Sequence, residues 1–192
     1  KKYAVIESGE RYLVTRFSID RASNVNTVTL LENLEGWRNK LRSVSEQTSC
    51  FQPIEKIVPH AEGIDLFEKM PLGIPLGTLI LRSGALNAPF VASILAEVAR
   101  SLDSLHREEL YHFCLNLDRI IIDDQGQIRI IDVGLVHKLQ SIYGPQSFPN
   151  PFWEYVHPHP SYVSPELLKG TMLGAQTDIF ALGALTFQLL TG

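Results

Sequence analysis

Residues 110–135 read LYHFCLNLDRIIIDDQGQIRIIDVGL, and no other stretch restricts the fold as much. Two isoleucine-rich runs, RIII at 119–122 and QIRIID at 127–132, flank the turn-forming Asp123-Asp124-Gln125-Gly126. β-branched runs broken by such a turn predict two short paired strands. Upstream, Val91, Ile94, Leu95, Val98, Leu102 and Leu105 recur at helical spacing, which predicts an amphipathic helix over 88–106. A helix must therefore hand over to a hairpin within a few residues. His112 stands before the hairpin and Asp132-Val133-Gly134 closes it.

The front of the chain is β-rich. KYAVIES and RYLVTRFSI meet around Ser8-Gly9-Glu10, a hairpin signal. Leu30, Leu31, Leu34, Trp37, Leu41 and Val44 then predict a helix from Val28 to about Ser45, with Asn26 or Thr27 as its cap. FQPIEKIVPH and GIDLFEKM are two further strand candidates, and PLGIPLG at 71–77 reads as a Gly/Pro linker. Residues 136–161 read as a long loop, and the nearly all-apolar run at 178–190 reads as a buried helix. A β-rich part with one helix, followed by a helical part with an inserted hairpin, is an α+β, two-lobed pattern. The boundaries are 1–70 for the small β-rich lobe and 71–192 for the helical one, which carries the loop around His112 and the segment after Gly134.

The totals set broad limits. The chain has 192 residues, 45% apolar and 20% charged, as in an ordinary globular protein with a core of its own. Net charge is −4, so no general affinity for nucleic acid is expected, because phosphate binding needs a basic face. No run of about 18 uncharged apolar residues is present, which argues against a membrane span. Cys50 and Cys114 form no Cys-x-x-Cys and are read as reduced thiols of a cytoplasmic protein.

With these elements in place, the 110–135 stretch resembles the catalytic and metal-binding loops of eukaryotic-type protein kinases, which carry His-Arg-Asp-Leu-x-x-x-Asn, two short strands and Asp-Phe-Gly. His112, Leu115 and Asp132-Val133-Gly134 fill those slots without gaps. Ser164-Pro165-Glu166 is similar to the family's Ala-Pro-Glu, and Asp178 falls where the family's central buried helix opens with an Asp. The resemblance is strong over about 90–192 and weaker over 1–80, where GERYLVTRFSI looks like the strand carrying the nucleotide-contacting Lys. It implies a protein-kinase-like two-lobed fold, expected to be incomplete at both ends: the Gly-rich loop is expected to lie before residue 1 or not to exist, and the chain stops after the central large-lobe helix. It also implies structural roles for Glu166 and Asp178, Glu166 in a buried ion pair and Asp178 on backbone near His112.

Residue chemistry in the other slots points away from phosphotransfer. That reaction needs a carboxylate to orient the substrate hydroxyl and Mg²⁺ to neutralise phosphate charge. The carboxylate slot holds Cys114, a thiol with a reference pKa of about 8.5. The Arg slot before it holds Phe113, the Lys slot after it Asn116, and the second metal-ligand slot Arg119. A guanidinium cannot ligate Mg²⁺, which takes oxygen. In the small lobe the Lys slot holds Thr15, and Arg16 beside it points to the opposite face of a strand.

The expected function is therefore a pseudokinase: a kinase-like domain without phosphotransfer, acting as a scaffold or allosteric regulator for a protein partner such as an active kinase or signalling complex. The alternative is an atypical ATP-binding protein kinase or nucleotidyl transferase using Asp132 and Arg119. No cofactor is expected on the first reading; ATP and Mg²⁺ belong to the second. Asp132, Arg119 and Thr15 are the candidate nucleotide-site residues, and Asp132 is the candidate metal ligand. Their bland readings are a turn-capping Asp132 and an Arg119 on the surface or paired near Asp118 or Asp123. Three further constellations carry bland readings: Cys114 beside His112 as a buried thiol rather than a nucleophile, Asp118 as no substitute base, and His157-Pro158-His159 as a Pro-stiffened loop rather than a chelate. The apolar run with Phe148, Phe152, Trp153 and Tyr155 reads as a docking patch or as a plug for the old substrate groove.

Overall fold

The computed structural model describes residues 2–18, 27–143, 160–169 and 171–192. The His157/His159 pair, the aromatic residues from Phe148 to Tyr155 and the candidate cap Asn26 lie outside the described residues.

The chain opens with β1 (Lys2–Glu7) and β2 (Glu10–Ser18), joined by Ser8 and Gly9, both at positive φ. Two central residues at positive φ give the turn whose twist suits a two-residue hairpin. The hairpin fixes the register, so Lys2 lies opposite Thr15. Helix α1 (Thr27–Gln47) follows, then β3 (Ile54–His60) and β4 (Gly63–Lys69). The four strands form one antiparallel sheet in the order β1-β2-β4-β3. Side chains alternate faces along a strand, so Thr15, opposite Leu66, and Phe17, opposite Ile64, share the face that packs with Leu34, Trp37 and Leu41 of α1 in the main core. Arg16, opposite Asp65, takes the outer face and forms a bidentate pair with it at 2.6 and 2.7 Å.

The second part begins with β5 (Ile74–Pro75), which pairs with β6 (Ile120–Ile122), itself paired with β7 (Ile128–Ile130). The stretch expected as a bare linker is thus half structured. Pro75 lacks an N–H, which suits an edge strand, and its extended backbone leads straight into α2 (Leu76–Ser83), whose Leu76 is fully buried. Gly73 has φ +159, and a Cβ there would stand 2.3 Å from the Ile122 carbonyl oxygen, so the close approach of β5 to β6 requires glycine.

Helix α3 (Ala88–Arg107) is capped by Asn87, whose Oδ1 accepts from the Phe90 N–H at 3.0 Å. Its buried stripe, Val91, Ile94, Val98, Leu102 and Leu105, is the one read from the sequence except for Leu95, which is half-buried. It packs against α6 (Ala175–Thr191), described below. The two sheets are tied together by the segment before β3, where the Ile130 N–H donates to the Cys50 carbonyl at 2.7 Å and the Gln52 N–H to the Ile130 carbonyl at 3.0 Å.

Two expectations are corrected. The start of the expected loop at 136–161 is helical: α4 spans Leu135–Tyr143, with Leu135, Val136 and Leu139 buried and Ile142 packed against the core. Leu135, Leu139 and Ile142 share one helical face, Val136 packs with Phe113 and Cys114 instead, and the Lys138 N–H bonded to the Gly134 carbonyl at 2.9 Å starts the ladder at the Asp-Val-Gly turn. After α5 (Pro165–Lys169), α6 buries Asp178, Ala181, Leu185 and Leu189 but exposes Ile179, Phe180, Phe187 and Leu190, so it is buried on one face rather than all round. The architecture is α+β, with the β5-β6-β7 sheet and the loop before it lying where the four-stranded sheet meets the helices.

Candidate functional site

The site forms where β7 ends. Asp132 has φ +63, a left-handed conformation uncommon for a residue with a side chain, and Gly134 follows at φ +68. A Cβ on Gly134 would come within 3.3 Å of Trp37 Nε1, so α1 packs directly over this turn. Strained backbone persists only where its surroundings over-determine it. Here the Asp132 N–H donates to Glu68 Oε1 at 2.9 Å, and the Ile131 N–H to the Arg119 carbonyl at 3.0 Å.

The Asp132 carboxylate sits between two cations. Lys2 Nζ lies 2.5 Å from Oδ1, and Arg119 Nε lies 3.1 Å from Oδ2. The Asp132 side chain is only 3% exposed, Arg119 10% and Lys2 24%. Arg119 is therefore neither a surface residue nor a partner of Asp123, whose carboxylate pairs with Arg129 at 3.2 Å instead. The Asp132 carboxylate accepts two ion pairs. Glu68 completes the cluster from the end of β4. Burial and then the negative charge of Asp132 push its carboxyl up to about 8, against the opposing pull of Lys2 and Arg119.

Thr15 is buried on β2, in the row of the sheet that runs from Lys2 through Thr15 to Leu66. Lys2 thus stands one strand away from Thr15 in this row. Sequence reading missed Lys2 and Glu68. Hairpin register could have found the first. The second is signalled by Ile64, Leu66 and Glu68, which share one strand face.

The loop before the hairpin is held by Asp178. Its carboxylate accepts from the His112 N–H at 2.9 Å and the Phe113 N–H at 2.7 Å, and lies 2.8 Å from His106 Nε2. His112 is wholly buried with Nε2 3.1 Å from the Ile131 carbonyl, and burial lowers its pKa. Cys114 Sγ lies 3.5 Å from His112 Nδ1. Burial pushes this thiol up to about 12, the opposite of what a nucleophile needs. Asn116 is buried, donating to the Cys114 carbonyl at 3.1 Å and capping the turn 117–119 through the Asp118 N–H at 2.9 Å. Asp118 turns towards α2, where its Oδ1 occupies the space a Cβ on Gly77 would need. Phe113 stacks on Tyr111 with ring centres 5.2 Å apart, and His137 of α4 meets both rings edge-on at 5.0 and 5.3 Å. An aromatic stack thus joins this loop to α4.

A profile of the protein kinase domain matches residues 56–192, well over half of the chain. The chain belongs to the protein kinase family. Among curated relatives, this kinase-family chain is 32% identical over 111 residues to "Protein kinase 2" of Dictyostelium discoideum, covering 58% of this chain and 22% of that protein. It is 27% identical over 198 aligned positions to the serine/threonine-protein kinase PKH1 of Saccharomyces cerevisiae, covering 100% of this chain and 24% of the relative. It is 29% identical over 120 residues to the serine/threonine-protein kinase PrkC of Bacillus subtilis, covering 62% and 18%. The chain spans less than a quarter of the length of each of these kinases.

Set against the kinase pattern, the donor set does not suit Mg²⁺. The metal wants oxygen ligands in near-octahedral order at about 2.0–2.1 Å. Here one ligand slot is Arg119, and its guanidinium lies on the carboxylate that fills the other. Among the described residues no group of three or more His, Cys, Asp or Glu is placed to hold a metal ion. Glu166 accepts from Thr177 Oγ1 at 2.9 Å. Among the described residues no helix is long and apolar enough to cross a membrane.

Proposed function

We propose that the chain is a kinase domain that does not transfer phosphate, a pseudokinase, and that it serves as a protein-binding scaffold or allosteric regulator. The reading is carried by the clamping of Asp132 between Lys2 and Arg119, with a buried thiol of raised pKa in the slot that needs a carboxylate. A carboxylate already neutralised by two cations has little charge left for a divalent metal. Cys114 is neither ionised near neutral pH nor shaped to orient a hydroxyl. The features that hold the loop in shape, Asp178 on the backbone of His112 and Phe113, serve the fold rather than the chemistry.

The decisive measurement is radiolabel transfer from γ-labelled ATP, to the chain itself and to a generic basic protein substrate, in Mg²⁺ and in Mn²⁺. Incorporation no higher than that of Asp132→Asn is expected. Incorporation that disappears in Asp132→Asn would establish the alternative, an ATP-dependent transferase using Asp132 and Arg119. That second reading draws on the Lys2 contact, which puts a small-lobe lysine back on this aspartate.

A further inference from the structure

A cavity opens at the tip of the β6-β7 hairpin, the end away from Asp132. Ile74 of β5, Leu79 of α2, Phe90 of α3 and Ile122, Asp123 and Asp124 of the hairpin enclose about 450 Å³. We propose that this cavity binds a small organic cation, a primary amine on an apolar frame, with the ammonium on Asp124 and the frame among Ile74, Leu79 and Phe90. None of its lining residues belongs to the Asp132 cluster, so the proposal stands apart from the question of phosphate transfer.

The walls are fixed by contacts within the chain. Gly73 seats β5 tightly on the Ile122 carbonyl, and Phe90 stands in the capped first turn of α3. Asp123 Oδ1 accepts from the Gln125 and Gln127 N–H groups at 3.0 and 2.8 Å, and Oδ2 from Arg129 Nε at 3.2 Å, which fixes the hairpin tip. Ile74 is 43% exposed and Phe90 39%, with Leu79 and Ile122 half-buried beside them. Apolar side chains scattered singly are normal on a surface, but four meeting in one concavity mark a binding site. The volume falls within the roughly 300–1,000 Å³ of small-molecule sites, and a pre-formed cavity loses little entropy when it is filled.

Charge selects the ligand. Asp123 and Asp124 are the charged residues of the lining, and no lysine or arginine is among them. Asp123 is occupied by backbone N–H groups and Arg129. Asp124 is exposed, and among the described residues its carboxylate has no hydrogen-bond or ion-pair partner. An anion would meet two carboxylates at the mouth, and a neutral molecule would gain nothing from Asp124. An ammonium gains an ion pair there, and its frame buries apolar surface against the four walls. Because an exposed ion pair adds little, the frame supplies most of the affinity and the charge supplies the selectivity.

The test is an amide NMR titration of the full chain at neutral pH with phenethylamine, 2-phenylethanol and phenylacetate, which share an aromatic frame and differ in charge. Phenethylamine is expected to give saturating shifts at the Ile74, Leu79, Phe90 and Asp124 amides. It should bind about two- to fivefold more tightly than the alcohol, the span of an exposed ion pair. Phenylacetate should bind more weakly than the alcohol. Asp124→Asn is expected to remove the difference between amine and alcohol while leaving the affinity for the alcohol unchanged. Ile74→Lys puts the chain's own ammonium into the cavity from a partly exposed position and is expected to abolish amine binding. Ligand-free spectra of both variants show that they fold, and if Ile74→Lys does not, Phe90→Ala takes its place and should weaken all three probes. No shift at these amides, or amine binding unchanged in the cavity variant, overturns the proposal. Equal affinity for amine and alcohol overturns it in favour of a neutral apolar ligand. Shifts with a terminally blocked Leu-Lys-Leu peptide and none with the amine overturn it in favour of a peptide groove.

Discussion

Lys2 and Asp132, 130 residues apart, meet at 2.5 Å and join the first strand of the sheet to the Asp-Val-Gly turn. This contact follows from hairpin geometry. With Ser8 and Gly9 in the turn, residue 2 must lie beside residue 15, on the same face. A lysine therefore stands beside Thr15 on this face, from the neighbouring strand. Lys2→Met is expected to destabilise the fold by about 1–2 kcal/mol, less than a fully buried pair would cost because Lys2 is partly solvated. Urea denaturation measures it. A change below about 0.3 kcal/mol would mean that the pair adds nothing beyond an exposed contact.

Glu68 makes stability fall with rising pH. Its carboxyl is raised from 4.5 to about 8 in the folded chain, so between those values the folded state holds a proton that the unfolded state has released. Stability then declines as pH rises through this window, and the contribution present below about 4.5 is gone above about 8. Glu68→Gln, which keeps the shape and the acceptor for the Asp132 N–H, is expected to flatten the decline between pH 6 and 8.5. Parallel denaturation curves at four pH values would show it. An unchanged slope in the variant would assign the dependence to other groups.

Both cysteines are expected to be inert in the folded chain. Burial is the leading cause of the raised pKa of each, and Cys114 reaches about 12. Only the thiolate attacks a disulfide reagent, so at pH 8 neither should react. Titration with Ellman's reagent should release almost no signal from the native protein and two equivalents in guanidinium chloride, matching the two cysteines of the sequence. Rapid native reaction at Cys114, mapped by mass spectrometry, would refute the buried-thiol description and revive a nucleophilic role beside His112.

The legible parts of this fold were those with local periodicity. The α3 stripe, the hairpin at 119–130 and the β1-β2 turn are written in residue spacing and turn chemistry. The residue types at 113, 114, 116 and 119 were legible too, and they alone carry the expectation that no carboxylate or oxygen ligand stands at 114 and 119. What stayed hidden was long-range. Arg119 could be read as unable to bind metal, but nothing near it in sequence says that it pairs with Asp132 rather than Asp123. Glu68, at the end of an apolar strand, reads as an exit to solvent until the Asp-Val-Gly turn is placed against it. Helix α4 was masked by Gly134, whose left-handed backbone both ends the turn and starts the helix.

Asp178 is expected to be the costliest single side chain to remove. It is fully buried, and its two carboxylate oxygens bind the His112 and Phe113 N–H groups with His106 alongside. Phe113 is held at φ +60, so these bonds also stabilise a strained backbone. Asp178→Ala leaves two buried N–H donors without an acceptor, at roughly 1–3 kcal/mol each. The total should be about 3–5 kcal/mol, and Asp178→Asn, which keeps one acceptor oxygen, should fall below it. Asp103→Asn, in an exposed pair with Arg107 on α3, is the control and should change stability by less than about 0.5 kcal/mol. Chemical denaturation of the three variants tests the order. If Asp178→Ala cost no more than the control, the loop that carries His112 and Cys114 would have to be held by the Phe113–Tyr111–His137 stack and not by this carboxylate.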